Sequence, residues 1–321
     1  MTGKRVAIPA KGVVQLEDFE IPELDPTQIL IQTRKSLISP GTEYAFYMEL
    51  PNTPGKYPVY PGYSNIGEVV AVGEEVTQFS VGDVVASGTA HASHTITDQT
   101  KAVHVPEGLV DEHAVFFNLV AIAMQGVHKA RIDLGESAAI IGAGLIGLFA
   151  MRLAQLSGGI PVTAVDLDQS RLDLAQHFVA DEILNVSEDN WRDSFANVVI
   201  EASGAPPAVN TAFQLAAQRG RVVLLGSSRG ITSEVNFYRD VHRKGLTVIG
   251  AHELNRPSHD ETPGFYKQVS EWRTALQLMQ YGRLDIKPLI SYIFGAADFS
   301  DAYEQLKARD PKTLGMVIDW T

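Results

Sequence analysis

The stretch from Glu136 to Asp166, ESAAIIGAGLIGLFAMRLAQLSGGIPVTAVD, constrains this chain more than any other. An apolar run, Ser137 to Ile141, meets Gly142, Gly144 and Gly147 in the spacing G-x-G-x-x-G. A helical run follows, and then a second apolar run that ends in Asp166, about 20 residues beyond the last glycine. Three glycines alone are common in small-residue helices. Between a buried strand and a helix that leads to a second strand, they read as a dinucleotide-binding turn. Gly142 permits the tight turn, Gly144 lets the backbone approach a pyrophosphate, and Gly147 lets helix and strand pack closely. Leu145 and Ile146 open the helix, whose free N–H groups face the phosphates. Asp166 then accepts hydrogen bonds from the adenosine ribose hydroxyls and repels a 2′-phosphate, which favours NAD over NADP. Arg171 has two readings, a cation that complicates this preference or a helix residue facing water.

The rest of the chain extends this unit on both sides. Residues 1 to about 110 alternate apolar and polar residues in short runs (RVAIP, GVVQLEDFEI, QILIQTRKSLI, GEVVAVG, DVVAS, KAVHVP), broken by Gly, Pro and Asp. They predict a compact β barrel or sandwich with little room for a helix. Helical spacing begins near residue 111. NVVIEASG, GRVVLLGSS and LTVIGAH then supply further strands of a doubly wound parallel sheet with covered faces. Their ends place Ser203, Gly226, Ser227 and Ala251 where open α/β sheets bind ligands, beside a nicotinamide ring; small residues at tight turns are the competing reading. A strand, a helix and a last strand close the chain in KPLISYIFGAADFSDAYEQLKARDPKTLGMVIDW and are assigned back to the N-terminal domain. The expected division is therefore 1–118 with 286–321 for one domain and 119–285 for the other.

Composition excludes several function classes. The 321 residues carry a net charge of −12 and no cluster of Lys and Arg, which argues against an electrostatic grip on nucleic acid or an anionic membrane surface. The longest apolar run, Ala138 to Met151, is shorter than the roughly 20 residues a spanning helix needs. The first residues are too polar for a secretory signal. Cysteine is absent, so disulfides and thiolate metal sites are impossible, and a cytoplasmic location is the expectation.

Five motifs together make the chain resemble the medium-chain dehydrogenase/reductase superfamily over essentially its whole length. They are YPGYSNIGEVVAVGEEV with Gly62, Gly67 and Gly73, SVGDVV, HVPEGL, GAGLIG and the ending MVIDW. The resemblance implies an α/β protein with a GroES-like β-rich catalytic domain and a Rossmann dinucleotide-binding domain. LISPGTE, YPGY, EASGAP and MVIDW are also locally similar to the branch of 2-desacetyl-2-hydroxyethyl bacteriochlorophyllide dehydrogenases. Zinc-type relatives begin the opening segment with Gly-His-Glu, where this chain has Gly62, Tyr63 and Ser64. Their cysteine ligand falls at Ser39 or Pro40 and another ligand near Asn118. Zinc takes thiolate, imidazole or carboxylate, so the resemblance implies fold and cofactor without the metal. His91 and His94 are expected on opposite faces of an edge strand, partly exposed, and therefore unable to share an ion.

Without a Lewis acid, a side chain must exchange the proton when hydride moves to or from the nicotinamide. Tyr63 is the first candidate, either as proton donor or as a packing residue in the vacated metal position. Thr42 matches a hydroxyl relay of zinc relatives. Glu43 stands where the family often has an acid in a structural role, and Asn118 is expected to orient the substrate oxygen. Three functions follow. The first is a zinc-independent NAD(H) oxidoreductase for a secondary alcohol and ketone, the second an NADPH-dependent quinone or enone reductase, and the third a non-catalytic dinucleotide-binding protein. The partner is a small alcohol or carbonyl compound, with no nucleic acid and no membrane. The family resemblance implies a homodimer seamed at LTVIGAHE. The polar loop from His252 to Phe265 either covers the substrate or is a solvated excursion.

Overall fold

The structure, a computed structural model, describes residues 1–188 and 191–321. The N-terminal elements are β1 (Thr2–Ala10), β2 (Val13–Glu20), β3 (Gln28–Ile38), α1 (Pro40–Tyr47), β4 (Asn65–Val72), β5 (Val84–Ser87), β6 (His94–Asp98) and β7 (Ala102–His104). Next come α2 (Asp111–Ala114), α3 (Phe117–Ala130), β8 (Ala138–Ile141), α4 (Leu145–Leu156), β9 (Val162–Asp166), α5 (Gln169–Phe178) and β10 (Glu182–Asn185). The chain continues with β11 (Ala196–Glu201), α6 (Ala208–Leu215), β12 (Ala216–Leu224), β13 (Thr247–Gly250) and α7 (Gln268–Gln280). It ends with β14 (Ile290–Gly295), α8 (Phe299–Ala308) and β15 (Gly315–Asp319).

Two compact units result. The first comprises Met1–Asn118 and Val269–Thr321, the second Leu119–Gln268. The return to the first unit thus begins with α7, earlier than residue 286. The cause is Trp272, whose indole packs edge-on against Phe117 at 5.1 Å and hydrogen-bonds Asn118.

The first unit holds the β1–β2 hairpin and a seven-stranded sheet ordered β14-β15-β3-β4-β5-β7, with β6 pairing β3. The closing segment does pair there: β15 runs antiparallel to β3, and β14 lies parallel to β15. A parallel pair needs a crossover, and α8 provides it. Phe299, Ala302, Tyr303 and Leu306 recur at helical spacing along α8 and are all buried, in one cluster with Val6, Ile8, Ile38, Met316 and Ile318. That packing carries Tyr303 towards α1.

Helix α1 corrects the expectation that this region has little room for one. Pro40 at the first helical position fixes φ where no amide partner is needed, and the turn runs eight residues before Met48 ends it. Period-2 alternation elsewhere in the region masked this short helix. Its buried residues, Glu43, Ala45 and Tyr47, include one carboxylate.

The second unit is a six-stranded sheet, parallel throughout, in the order β10-β9-β8-β11-β12-β13. The order reverses at β8 beside β11, the switch point of a doubly wound sheet, outside whose strand ends ligands bind. Among the described residues no helix is long and apolar enough to cross a membrane.

Candidate active site

The turn entering β4 and the start of α1 bring three hydroxyls together. The Tyr63 phenol is hydrogen-bonded to Ser39 Oγ and lies 3.4 Å from Thr42 Oγ1. Tyr63 and Thr42 are half-buried, whereas Ser39 is buried. Local backbone chemistry places them. Gly62 adopts φ +100°, and a Cβ there would stand 2.6 Å from His91 N and 2.7 Å from the imidazole, so only glycine lets the turn lie on this ring.

Beneath the hydroxyls lies a buried polar group. His91 and Glu43 are both fully buried. His91 Nε2 is 3.2 Å from each Glu43 oxygen, and Nδ1 is 2.8 Å from Ser36 Oγ. Ser36 Oγ also accepts the Trp320 indole N–H at 2.9 Å, so every atom is satisfied when Ser36 donates to Nδ1 and Nε2–H donates to Glu43. Glu43 further accepts the Ser39 amide at 2.7 Å and the Tyr303 hydroxyl at 2.7 Å. Burial, and then the Glu43 charge, push the Tyr303 phenol well above its ordinary value, so it donates as a neutral phenol. A buried carboxylate is tolerated only when partnered in this way.

This corrects the expectation for His91 and His94. Strand β6 begins at His94, and His91 precedes it in irregular backbone whose amide donates to Pro61 O at 2.9 Å. Strand alternation therefore does not govern His91, which turns inward. Glu43 anchors the Ser39 backbone through the bond from its amide.

Asn118 is also reassigned. Its amide donates to the Tyr63 carbonyl at 2.6 Å, and its carbonyl accepts the Trp272 indole N–H at 2.7 Å. At 1% exposure it clamps the Tyr63 backbone and is not presented to a substrate oxygen.

In the second unit the glycine turn has the expected form. Gly142 has φ +97°, and a Cβ on Gly147 would stand 1.7 Å from Gly142 O, so no side chain fits there. Gly144 caps α4 without any side-chain bond, leaving the Leu145, Ile146 and Gly147 amides for an anion. Asp166 accepts Ala143 N at 2.7 Å with one oxygen, and Leu167 N at 2.7 Å and Asp168 N at 3.1 Å with the other. A carboxylate has about four acceptor sites, so capacity for a ribose hydroxyl remains. Arg171 is half-buried and does not simply face water: its Nη1 lies 3.5 Å from the Cβ position of Gly144, which puts a cation beside the phosphate-facing turn.

The turns after β8, β11 and β12 press together. A Cβ on Gly142 would meet Ser203 Cα at 2.9 Å, and one on Gly226 would meet Gly204 N at 2.3 Å. Ser227 O lies 2.6 Å from the Cβ position of Gly204, and the Ala251 amide donates to Leu224 O at 3.0 Å. Ala251 is itself buried. Glu201 ties these turns: one carboxyl oxygen accepts Ser203 N at 2.8 Å, Gly204 N at 3.0 Å and the Ser203 hydroxyl. Burial raises its pKa above the ordinary 4.5, against the pull of those bonds.

The loop after β13 runs along α3. Arg256 donates to Ala121 O at 3.0 Å near one end of that helix, and Tyr266 packs edge-on against His128 at 4.6 Å near the other.

A family model described as the alcohol dehydrogenase GroES-like domain matches residues 25–130, and one described as zinc-binding dehydrogenase matches residues 146–280. The chain belongs to the medium-chain dehydrogenase/reductase superfamily. It is an oxidoreductase of that superfamily. L-threonine 3-dehydrogenase of Proteus mirabilis is 27% identical, the alignment covering 98% of each chain. The solved structure of galactitol-1-phosphate dehydrogenase from Escherichia coli superposes with a TM-score of 0.86 at 23% identity, covering 99% of this chain and 100% of that one. A zinc-binding dehydrogenase from Sinorhizobium meliloti 1021, bound to NADP, gives a TM-score of 0.83 at 22% identity, covering 100% of both.

Zinc is the metal this superfamily model implies, and the residues present do not fit it. By the resemblance, the positions matching its ligands fall at Ser39 or Pro40, at Tyr63 and near Asn118, which offer two hydroxyls and a clamped amide. The nearby imidazole and carboxylate are His91 and Glu43, whose polar atoms are engaged with Ser36, Ser39, Tyr303 and each other. Among the described residues no group of three or more His, Cys, Asp or Glu could hold a metal ion. Neutral hydroxyls and an amide are poor zinc donors.

Proposed function

We propose that this dehydrogenase is a zinc-independent, NAD(H)-dependent oxidoreductase that interconverts a secondary alcohol and a ketone. The observation that supports it is the Tyr63 phenol, bonded to Ser39 and set near Thr42, at the position where zinc-type relatives carry a metal ligand. Bound NADH supplies the hydride for the carbonyl carbon. Tyr63 gives its phenolic proton to the carbonyl oxygen, and in alcohol oxidation the phenolate takes the hydroxyl proton back. Thr42, within reach of the phenol and half-buried, relays that proton to solvent water. Asn118 holds the Tyr63 backbone, and the Leu145, Ile146 and Gly147 amides would hold the pyrophosphate. Threonine and galactitol 1-phosphate both carry secondary hydroxyls, which supports this substrate class. Strand β13 ends the sheet, pairing only with β12 among the described residues, and its exposed Val248 supports a homodimer, while the absence of cysteine is compatible with the cytoplasm.

Arg171 beside Gly144 favours a second reading, an NADPH-dependent quinone or enone reductase, because a guanidinium there can pair with a 2′-phosphate.

Tyr63→Phe tests the first reading. On a panel of secondary alcohols with NAD, kcat should fall by about 10²–10⁴, the usual contribution of a general acid, with NADH affinity unchanged. An undiminished kcat refutes the role of Tyr63.

A further inference from the structure

Ser39 occupies the cap position of α1. Serine is favoured at helix caps because its hydroxyl accepts a free amide of the first turn. This one makes no such bond. Its side chain is turned to the Tyr63 phenol, while its own amide is fixed by Glu43 Oε1 at 2.7 Å. Thr42, in the first turn of the same helix, approaches the same phenol at 3.4 Å. The start of the helix thus brings two hydroxyls and its positive end to one phenolic oxygen, whose own O–H donates to Ser39 Oγ in the neutral phenol.

We propose that Ser39 is a positioning residue that stabilises the phenolate of Tyr63, so that hydroxyl donors anchored by the His91–Glu43 pair take over the electrostatic work of a cation. This rests on the proposed role of Tyr63. The step balances simply. When the phenol turns its O–H from Ser39 Oγ to the carbonyl oxygen and gives up the proton, the hydrogen bond reverses: the Ser39 O–H donates to the phenolate oxygen left behind, and no covalent bond to Ser39 is broken. The titratable groups packed around this site are Glu43 on α1, His91 ahead of β6 and Tyr303 on α8, and they are bonded to one another. Their arrangement fixes where the Ser39 amide sits, and therefore where its hydroxyl can reach.

The ionisation of Tyr63 itself tests this without any substrate. It is read as the ultraviolet absorbance of phenolate against pH in the intact protein, as the difference between each Ser39 form and the same form carrying Tyr63→Phe. Ser39→Ala should raise the Tyr63 pKa by about one to two units, the size of one hydrogen bond to a charged group. Ser39→Thr, which keeps the hydroxyl, should restore the wild-type value. Because the Ser39 hydroxyl does not cap α1, the alanine form is expected to fold. Should it not, Ser39→Cys, a weaker donor, carries the same test with a smaller upward shift. A Tyr63 pKa unchanged in the alanine or cysteine form overturns the inference. The two claims fail separately: an unshifted pKa with Tyr63→Phe inactive removes only the role of Ser39, whereas a fully active Tyr63→Phe removes the catalytic reading beneath it.

Discussion

Replacing Asn118 by leucine removes one side chain that satisfies two buried groups. Leucine is close in volume, so the perturbation is polar rather than steric. The Trp272 indole N–H loses its acceptor at 2.7 Å, and the Tyr63 carbonyl loses its donor at 2.6 Å. Trp272 is 2% exposed, so its N–H has no water to turn to and costs the upper part of the roughly 1–3 kcal/mol for an unpaired buried group. Tyr63 is half-buried, so its carbonyl recovers solvent and costs the lower part. The sum is about 3 kcal/mol. Spread over a first unit of about 170 residues, with about 2.1 cal/mol/K of unfolding entropy per residue, it lowers that unit's Tm by about 8 °C. Calorimetry measures this directly. Turnover should fall as well, because the Tyr63 backbone is released, while NADH affinity, set in the other unit, stays constant. Trp272→Phe combined with Asn118→Leu should cost less than the two separately, since both remove the same bond. A Tm within about 2 °C of wild type, with turnover lost, would contradict the clamp and return Asn118 to direct contact with the substrate.

Two further outcomes concern the second unit. Asp166→Asn removes the charge that repels a 2′-phosphate. Two unit charges at 4 Å interact by roughly 4 kcal/mol in partly solvated surroundings, so a shift of at least about tenfold in the NADH-to-NADPH affinity ratio is expected in fluorescence titrations, and an unchanged ratio refutes the role of Asp166. Glu201 gives a pH signature. Burial raises its folded-state pKa above 4.5, so between 4.5 and the raised value the native state holds the extra proton, and stability falls as pH rises through that window. Glu201→Gln removes this loss, so wild type should lose stability relative to the variant across the window, as followed by urea unfolding. A pH-independent difference refutes it.

The nucleotide half was legible because its constraints are local. The glycines at 142 and 147 each answer a backbone requirement that spacing alone expresses, and the second strand ends at Asp166, as the same spacing predicts. The closing strand and helix were legible too, as elements with no room in a parallel sheet. The proton-handling half was less so. His91 and Tyr303 meet Glu43, and Ser36 and Trp320 meet behind His91, across sequence distances that no period records; strand alternation misplaces His91 because it lies ahead of the start of β6. Helix α1 escaped because eight residues between two strands give too little periodicity, although Ser39 and Pro40 were a usable start signal. Trp272 was invisible as the partner of Asn118, since an indole in an amphipathic helix reads as core. Glu201 did leave a trace, an acid ending the apolar run NVVIE just before a small-residue turn.

In the proposed mechanism Tyr63 and its hydroxyl neighbours stand in for zinc. The direct measurement is kcat for secondary-alcohol oxidation with NAD, before and after exhaustive dialysis against a chelator, with the zinc content of both samples determined by mass spectrometry. Turnover is expected to be unchanged, with zinc far below one atom per chain throughout. Stoichiometric zinc, whose removal abolishes turnover and whose return restores it, would contradict that claim.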